Sequence, residues 1–122
     1  GKLVLCDRFT DSTRAYQGYG RGVPLELIDQ IDRVATGGRV PDRTLLFDLA
    51  SEDARSRGHS PSRRGRGEAD RLDAEGIEFY RRVREGFLAL AAAEPGRFRI
   101  VRSDGTADAT AAQVRAALED LL

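Results

Sequence analysis

The sequence predicts an α/β fold with a parallel sheet. Three short apolar runs, Leu3–Cys6, Thr44–Leu49 and Phe98–Val101, are long enough for buried strands and too short for helices. Their near-continuous apolar character is that of strands covered on both faces. Between and after them lie stretches with apolar residues three and four apart, the spacing of amphipathic helices.

The first strand carries Asp7 and Arg8 at its end, followed by Thr10-Asp11-Ser12-Thr13, whose side chains suit a helix start. Ala15, Tyr16 and Gln17 lie on the next turns, and Gly18-Tyr19-Gly20 is expected to break the helix. In open α/β sheets ligands bind outside the carboxyl ends of the strands, which is where Asp7 and Arg8 are placed. Arg8 offers a planar fork of donors suited to phosphate oxygens. Asp7 is suited to holding a magnesium ion through water or to orienting a cation, and Tyr16 and Gln17 to meeting a sugar or base. The alternative is an Asp–Arg pair that satisfies itself, with Tyr16 as ordinary packing. Cys6 is expected to be a small buried hydrophobe.

Gly18, Gly20 and Gly22 read as a turn, because they follow a helix and lack the Lys-Ser/Thr of a phosphate loop. Arg21 among them faces either a phosphate or solvent. Pro24 suits the first position of a helix whose Leu27, Ile28, Ile31, Val34 and Ala35 form one face, and Thr36-Gly37-Gly38 ends it. After the second strand Ser51 can cap a short helix. Residues 55–71 then hold six arginines, three glycines and one proline, with almost nothing apolar. Such a segment is a solvated charged loop, an arginine-rich arm for RNA or an acidic partner, or a lid that closes over a nucleotide triphosphate. His59 within it has no carboxylate or thiol cluster around it and reads as exposed.

Leu72–Ala93 reads as one long amphipathic helix with Leu72, Gly76, Tyr80, Val83, Phe87 and Leu90 on its apolar face, stopped by Glu94-Pro95-Gly96. After the last strand, Ser103-Asp104-Gly105-Thr106 turns into a closing helix. Thr106 is its cap, and Ala107, Ala111, Val114, Leu118 and Leu121 share one side.

Taken together, DRF-x-x-S-T-x-AYQG-x-GR (residues 7–21) closely resembles the thymidylate kinase signature. Pro41 to Leu49 is similar to that family's next core strand, and Asp70-Arg71-Leu72-Asp73 to the sequence that follows its lid. Phe79 to Phe87 with Pro95-Gly96-Arg97-Phe98 is similar to its long helix and final strand.

The resemblance implies a P-loop kinase-like sheet with helices on both faces, forming part of a nucleoside-monophosphate kinase domain over residues 1–122, with a lid at about 53–70. It implies phosphoryl transfer from ATP, with Mg2+, to dTMP. Arg8 would clamp phosphates and Asp7 would support the magnesium–phosphate network. Ser12, Thr13 and Gln17 would line the thymidine side, and Tyr16 would pack under the deoxyribose. Arg21 matches the family's Gly-Arg position, Arg64 and Arg66 would be the lid arginines, and Ser103, Asp104 and Gly105 would lie near the donor nucleotide. The helix that begins near Pro24 would either pair with its twin in a homodimer or simply face the core.

No G-x-x-x-x-G-K-[ST] phosphate loop occurs in the sequence, which opens at Gly1 with what resembles the family's third strand. The expectation is a C-terminal piece of a longer kinase, poorly folded and without phosphoryl transfer by itself. Another nucleoside or nucleotide kinase, and a non-enzymatic module with an arginine-rich arm, are the competing readings. Twenty basic against twenty acidic residues leave no net field to attract nucleic acid or membrane. One cysteine excludes an internal disulfide and suits the cytoplasm. No apolar run approaches the ~18 residues of a membrane span.

Overall fold

The computed structural model describes residues 2–48 and 69–121, with side chains from residue 76 onward in the second span. Thr10–Thr13 forms α1, which runs directly into a π-helical segment, Arg14–Gly20. Helix α2 is Leu25–Thr36, strand β1 Thr44–Asp48, helix α3 Ala69–Ala93, strand β2 Phe98–Arg102 and helix α4 Ala107–Leu118. β1 and β2 pair in parallel, from Thr44 opposite Phe98 to Asp48 opposite Arg102. A parallel pair needs a long crossover, and α3 lies within it.

The pleat puts Thr44, Leu46 and Asp48 on one face with Phe98, Ile100 and Arg102. On that face Phe98 is buried with Leu90 and Ala91 of α3, and Tyr19 and Leu46 pack against them. Val101 points to the opposite face and is almost fully buried, on the strand that α4 packs along. Gln113 of α4 accepts from the Arg102 N–H at 2.9 Å and donates to the Arg102 carbonyl at 3.0 Å.

Several helix ends follow the sequence. Thr106 caps α4 by accepting from the Ala109 N–H. α2 stops at Gly37, in the left-handed conformation at φ 63°. Pro24 sits one residue earlier than expected, as the residue flanking the helix. Beyond α3, Pro95 has no N–H with which to continue a helix.

Other expectations are corrected. Residues 3–6 are not a strand: Leu3, Val4 and Leu5 are 70%, 80% and 85% exposed, and Cys6 is exposed as well. Strand geometry depends on a hydrogen-bonding neighbour, and among the described residues none lies beside this run. β1 is half-buried, with Phe47 exposed, because among the described residues it has a partner strand on one edge only.

The glycines at 18 and 20 do not break the helix, which continues through Gly20 in the wider π form. Both are buried at points of close approach, and a Cβ at Gly20 would stand 2.6 Å from the Phe79 ring. The polar run at 10–13 supplies no capping hydrogen bond to α1. On α2 only Ile28 is buried, whereas Leu27, Ile31 and Val34 are exposed, so that face does not point to this chain's core. On α3 the buried stripe runs through Val83, Leu90 and Ala91, and Tyr80 is exposed. The short helix expected at Ser51, His59 and most of the expected lid lie outside the described residues.

Candidate active site

The π segment runs antiparallel to α3: Tyr19 lies against Gly86, Gly20 against Phe79 and Val83, and Arg14 reaches Glu94. Both glycines act by lacking a Cβ, which lets the two helices approach until Tyr16 reaches the aromatic side of α3. The Tyr16 ring stands edge-on to Phe79 at 6.1 Å and to Phe87 at 6.2 Å. Edge-to-face pairs of this kind contribute about 0.5–1.5 kcal/mol each beyond burial. Arg84 of α3 forks onto Asp48, the last residue of β1, at 2.7 and 2.8 Å. The Phe79–Phe87 stretch therefore flanks the carboxyl end of the strands, the edge expected to bind ligand.

Arg8 comes to the same place. Its guanidinium lies 5.2 Å from the Tyr16 ring centroid and a long 3.5 Å from the phenol oxygen. The residue adopts φ 62°, a left-handed conformation in which a side chain with a Cβ is strained. Such strain costs about 1–3 kcal/mol and collects at ligand-binding positions. Arg21 is exposed at the other end of the aromatic cluster, its guanidinium 5.9 Å from the Phe79 ring centroid. Two cations thus flank one aromatic floor.

Asp7 is exposed and has no partner among the described residues, so the self-satisfying Asp–Arg pair is not formed. A lone carboxylate fits a magnesium ion held mainly by phosphate and water. Among the described residues there is no group of three His, Cys, Asp or Glu side chains that could form an all-protein cage. Ser12, Thr13 and Gln17 lie on the same helical stretch as Tyr16, and their side chains make no hydrogen bond to other described residues.

Ser103, Asp104 and Gly105 form the loop after β2. The Ser103 N–H and hydroxyl both donate to the Asp48 carbonyl at 3.1 Å, and Asp104 pairs with Arg102. This loop is anchored to the end of β1. Arg64 and Arg66 lie outside the described residues. Arg71 and Asp73 fall in the first turns of α3.

The sequence did not disclose the supports. Arg82 donates through Nε and Nη2 to the Gly20 carbonyl at 3.2 and 3.1 Å, satisfying an end the π segment would leave unpaired. Arg14 forks onto Asp29 of α2 at 2.6 and 2.8 Å, and that bond holds the Asp29 carboxyl below its ordinary pKa. Phe79 was missed as well: Phe79, Val83, Phe87 and Leu90 are spaced four, four and three apart, but Tyr80 fits the same face at three, four and three, and spacing alone does not choose between the two rings.

A family model described as thymidylate kinase matches residues 1–114. A thymidylate kinase of Pelotomaculum thermopropionicum is 48% identical over 122 residues, covering all of this chain and 55% of that protein. One of Desulfosudis oleivorans is 48% identical over 121 residues, 98% of this chain and 56% of that protein. A crystal structure of thymidylate kinase from Ehrlichia chaffeensis superposes with a TM-score of 0.66 at 30% identity, over 99% of this chain and 52% of that one. The chain thus spans about half the length of the relatives it matches.

Proposed function

The chain belongs to the thymidylate kinase family, and on that premise we propose that it supplies the acceptor side of a kinase that transfers the γ-phosphoryl group of ATP to dTMP, giving ADP and dTDP. The observation that carries this reading is Arg8 seated on Tyr16 over the Phe79–Phe87 floor, at the carboxyl end of the sheet.

The monophosphate is itself a competent nucleophile, so positioning and charge stabilisation are the work left to the protein. Arg8 leaves the Tyr16 face to donate to phosphate oxygens, and the freed ring packs under the deoxyribose, where a ribose 2′-hydroxyl would crowd it. Ser12, Thr13 and Gln17, free of partners among the described residues, hydrogen-bond the base and sugar, and Arg21 supplies positive charge at the far end of the floor. Asp7 holds magnesium through water, and that ion neutralises charge on the phosphates when bound. Arg64 and Arg66 stabilise the transferring group, and Ser103 to Gly105 border the donor base. The reading places the protein in the cytoplasm, acting on dTMP and ATP without nucleic acid or membrane partners. Among the described residues no helix is long and apolar enough to cross a membrane.

The exposed Leu27, Ile31 and Val34 pack against their twins in a homodimer. Placing a charge there by Ile31→Glu is expected to halve the mass seen in sedimentation, and an unchanged mass removes the dimer.

Residues 1–122 contain no G-x-x-x-x-G-K-[ST] to cradle the donor phosphates. Assayed alone they are expected to show no transfer, and turnover by this segment would refute the division into donor and acceptor sides. The decisive experiment uses the protein expressed from its own coding sequence, offered dTMP, dUMP, dCMP and thymidine with ATP and magnesium. dTMP is expected to be preferred, and Arg8→Ala to lower kcat/KM by about 100-fold or more, the scale of a lost transition-state donor. Preference for another acceptor, or full activity of Arg8→Ala, would overturn the reading.

A further inference from the structure

We propose that the pair formed by buried Asp11 and half-buried Arg97 is a positioning lock that sets the rotation of the helix carrying Ser12, Thr13, Tyr16 and Gln17 relative to the sheet. This rests on the acceptor-site reading above.

Asp11 is the one polar residue among the buried described residues, 5% exposed. A carboxylate taken from water costs several kcal/mol unless it is well paired. Arg97 pairs it, with Nη1 donating to Oδ2 at 2.7 Å and Nη2 to Oδ1 at 2.9 Å. The remaining donors are also matched: Nη1 to the Thr44 hydroxyl at 2.7 Å, and Nε and Nη2 to Glu94 at 2.9 and 3.0 Å. All five guanidinium N–H groups therefore have acceptors. The Thr44 hydroxyl donates to Asp11 at 3.3 Å, and the Arg97 guanidinium stacks on Phe98 at 4.5 Å.

Location turns this network into a reference point. Thr44 is the first residue of β1, and Arg97 immediately precedes β2. Asp11 is thereby tied to the start of both strands and stands five residues, about one wide π turn, before Tyr16. A helix that slipped by one residue would turn by about 100° and carry Tyr16 off the Phe79–Phe87 floor. Apolar side chains would fill the same space at lower desolvation cost, but they would leave the rotation free. The Arg14–Asp29 and Arg14–Glu94 contacts lie one turn farther along and brace the same helix.

The test uses the protein expressed from its own coding sequence, well below its thermal midpoint, with Asp11→Asn, Arg97→Lys and the double variant. dTMP affinity by calorimetry is expected to fall about tenfold or more in each single variant, within the 100-fold range that ångström-scale misplacement costs. ATP affinity should stay within about twofold, and the double variant should lose little more than either single one, as coupled partners do. Amide hydrogen exchange should accelerate about tenfold in residues 12–20 and not in α4, as local opening requires. Unchanged dTMP affinity, equal losses for dTMP and ATP, or exchange that rises uniformly would overturn the lock. A wild-type protein that binds no dTMP would sink the kinase reading, and the exchange pattern would still decide the lock.

Discussion

Arg8 combines two demands that oppose each other. Its side chain must reach the Tyr16 face, and its backbone does so at φ 62°, where a Cβ is unwelcome. Comparing two variants that both lack the guanidinium isolates the backbone contribution. Arg8→Gly is expected to be more stable than Arg8→Ala by about 1 kcal/mol in urea unfolding, since glycine adopts this conformation freely. Equal stabilities would mean that position 8 is unstrained. Arg8 and Tyr16 stood out in the sequence as candidate site residues because their chemistry is carried by the side chain alone, and the fold brings the two side chains together. The strain was not legible, because nothing in an Asp-Arg-Phe string reveals a backbone angle. Cys6 shows the limit from the other side: a thiol at the end of an apolar run reads as buried, yet burial depends on what lies beside it.

At the scale of elements, the contact between α3 and the π segment decides whether the aromatic floor exists. Gly86 is as tight a point as Gly20, since a Cβ there would stand 2.6 Å from both Cβ and Cγ of Tyr19. Gly76, on the same helix, has nothing within 4 Å of where its Cβ would be. Gly76→Ala is therefore expected to stabilise by about 0.5–1 kcal/mol through helix propensity. Gly86→Ala should destabilise by about 1–2 kcal/mol, because overpacking of about 1–3 kcal/mol outweighs that same gain. Thermal or urea midpoints of the two variants check the signs, and a stabilising Gly86→Ala would deny the close approach. Helix type and extent were readable from periodicity, which set α2, α3 and α4 to within a few residues. The π form was not, since Gly18 and Gly20 look like breakers until the neighbour that uses the missing Cβ is in view.

Across the whole molecule, ion pairs join elements far apart in sequence, and their titration sets the acid response. Arg14 holds Asp29, and Arg43 holds Asp120, below the ordinary carboxyl value, in each case chiefly through the hydrogen bond. Both pairs therefore contribute fully above about pH 4, and their contribution is lost as pH falls through the lowered values. Asp32 has the opposite sign. Burial, and then the neighbouring Asp29 charge, raise its pKa, and its Oδ2 is buried without a hydrogen-bond partner among the described residues. Asp32→Asn is expected to raise the thermal midpoint at pH 7, with the advantage shrinking as pH approaches 4 and the wild-type carboxyl takes up its proton. A pH-independent difference would remove charge as the cause. From the sequence alone came the α/β class, the family, and the order of the described helices and strands after residue 24, because periodicity and side-chain type are properties of adjacent positions. Only the tertiary structure decided that Leu3–Cys6 has no partner strand among the described residues, that most of the apolar face of α2 is exposed, and that Asp11 meets Arg97 across 86 positions. Burial and charge pairing depend on which surfaces meet, and that is not a local property of the chain.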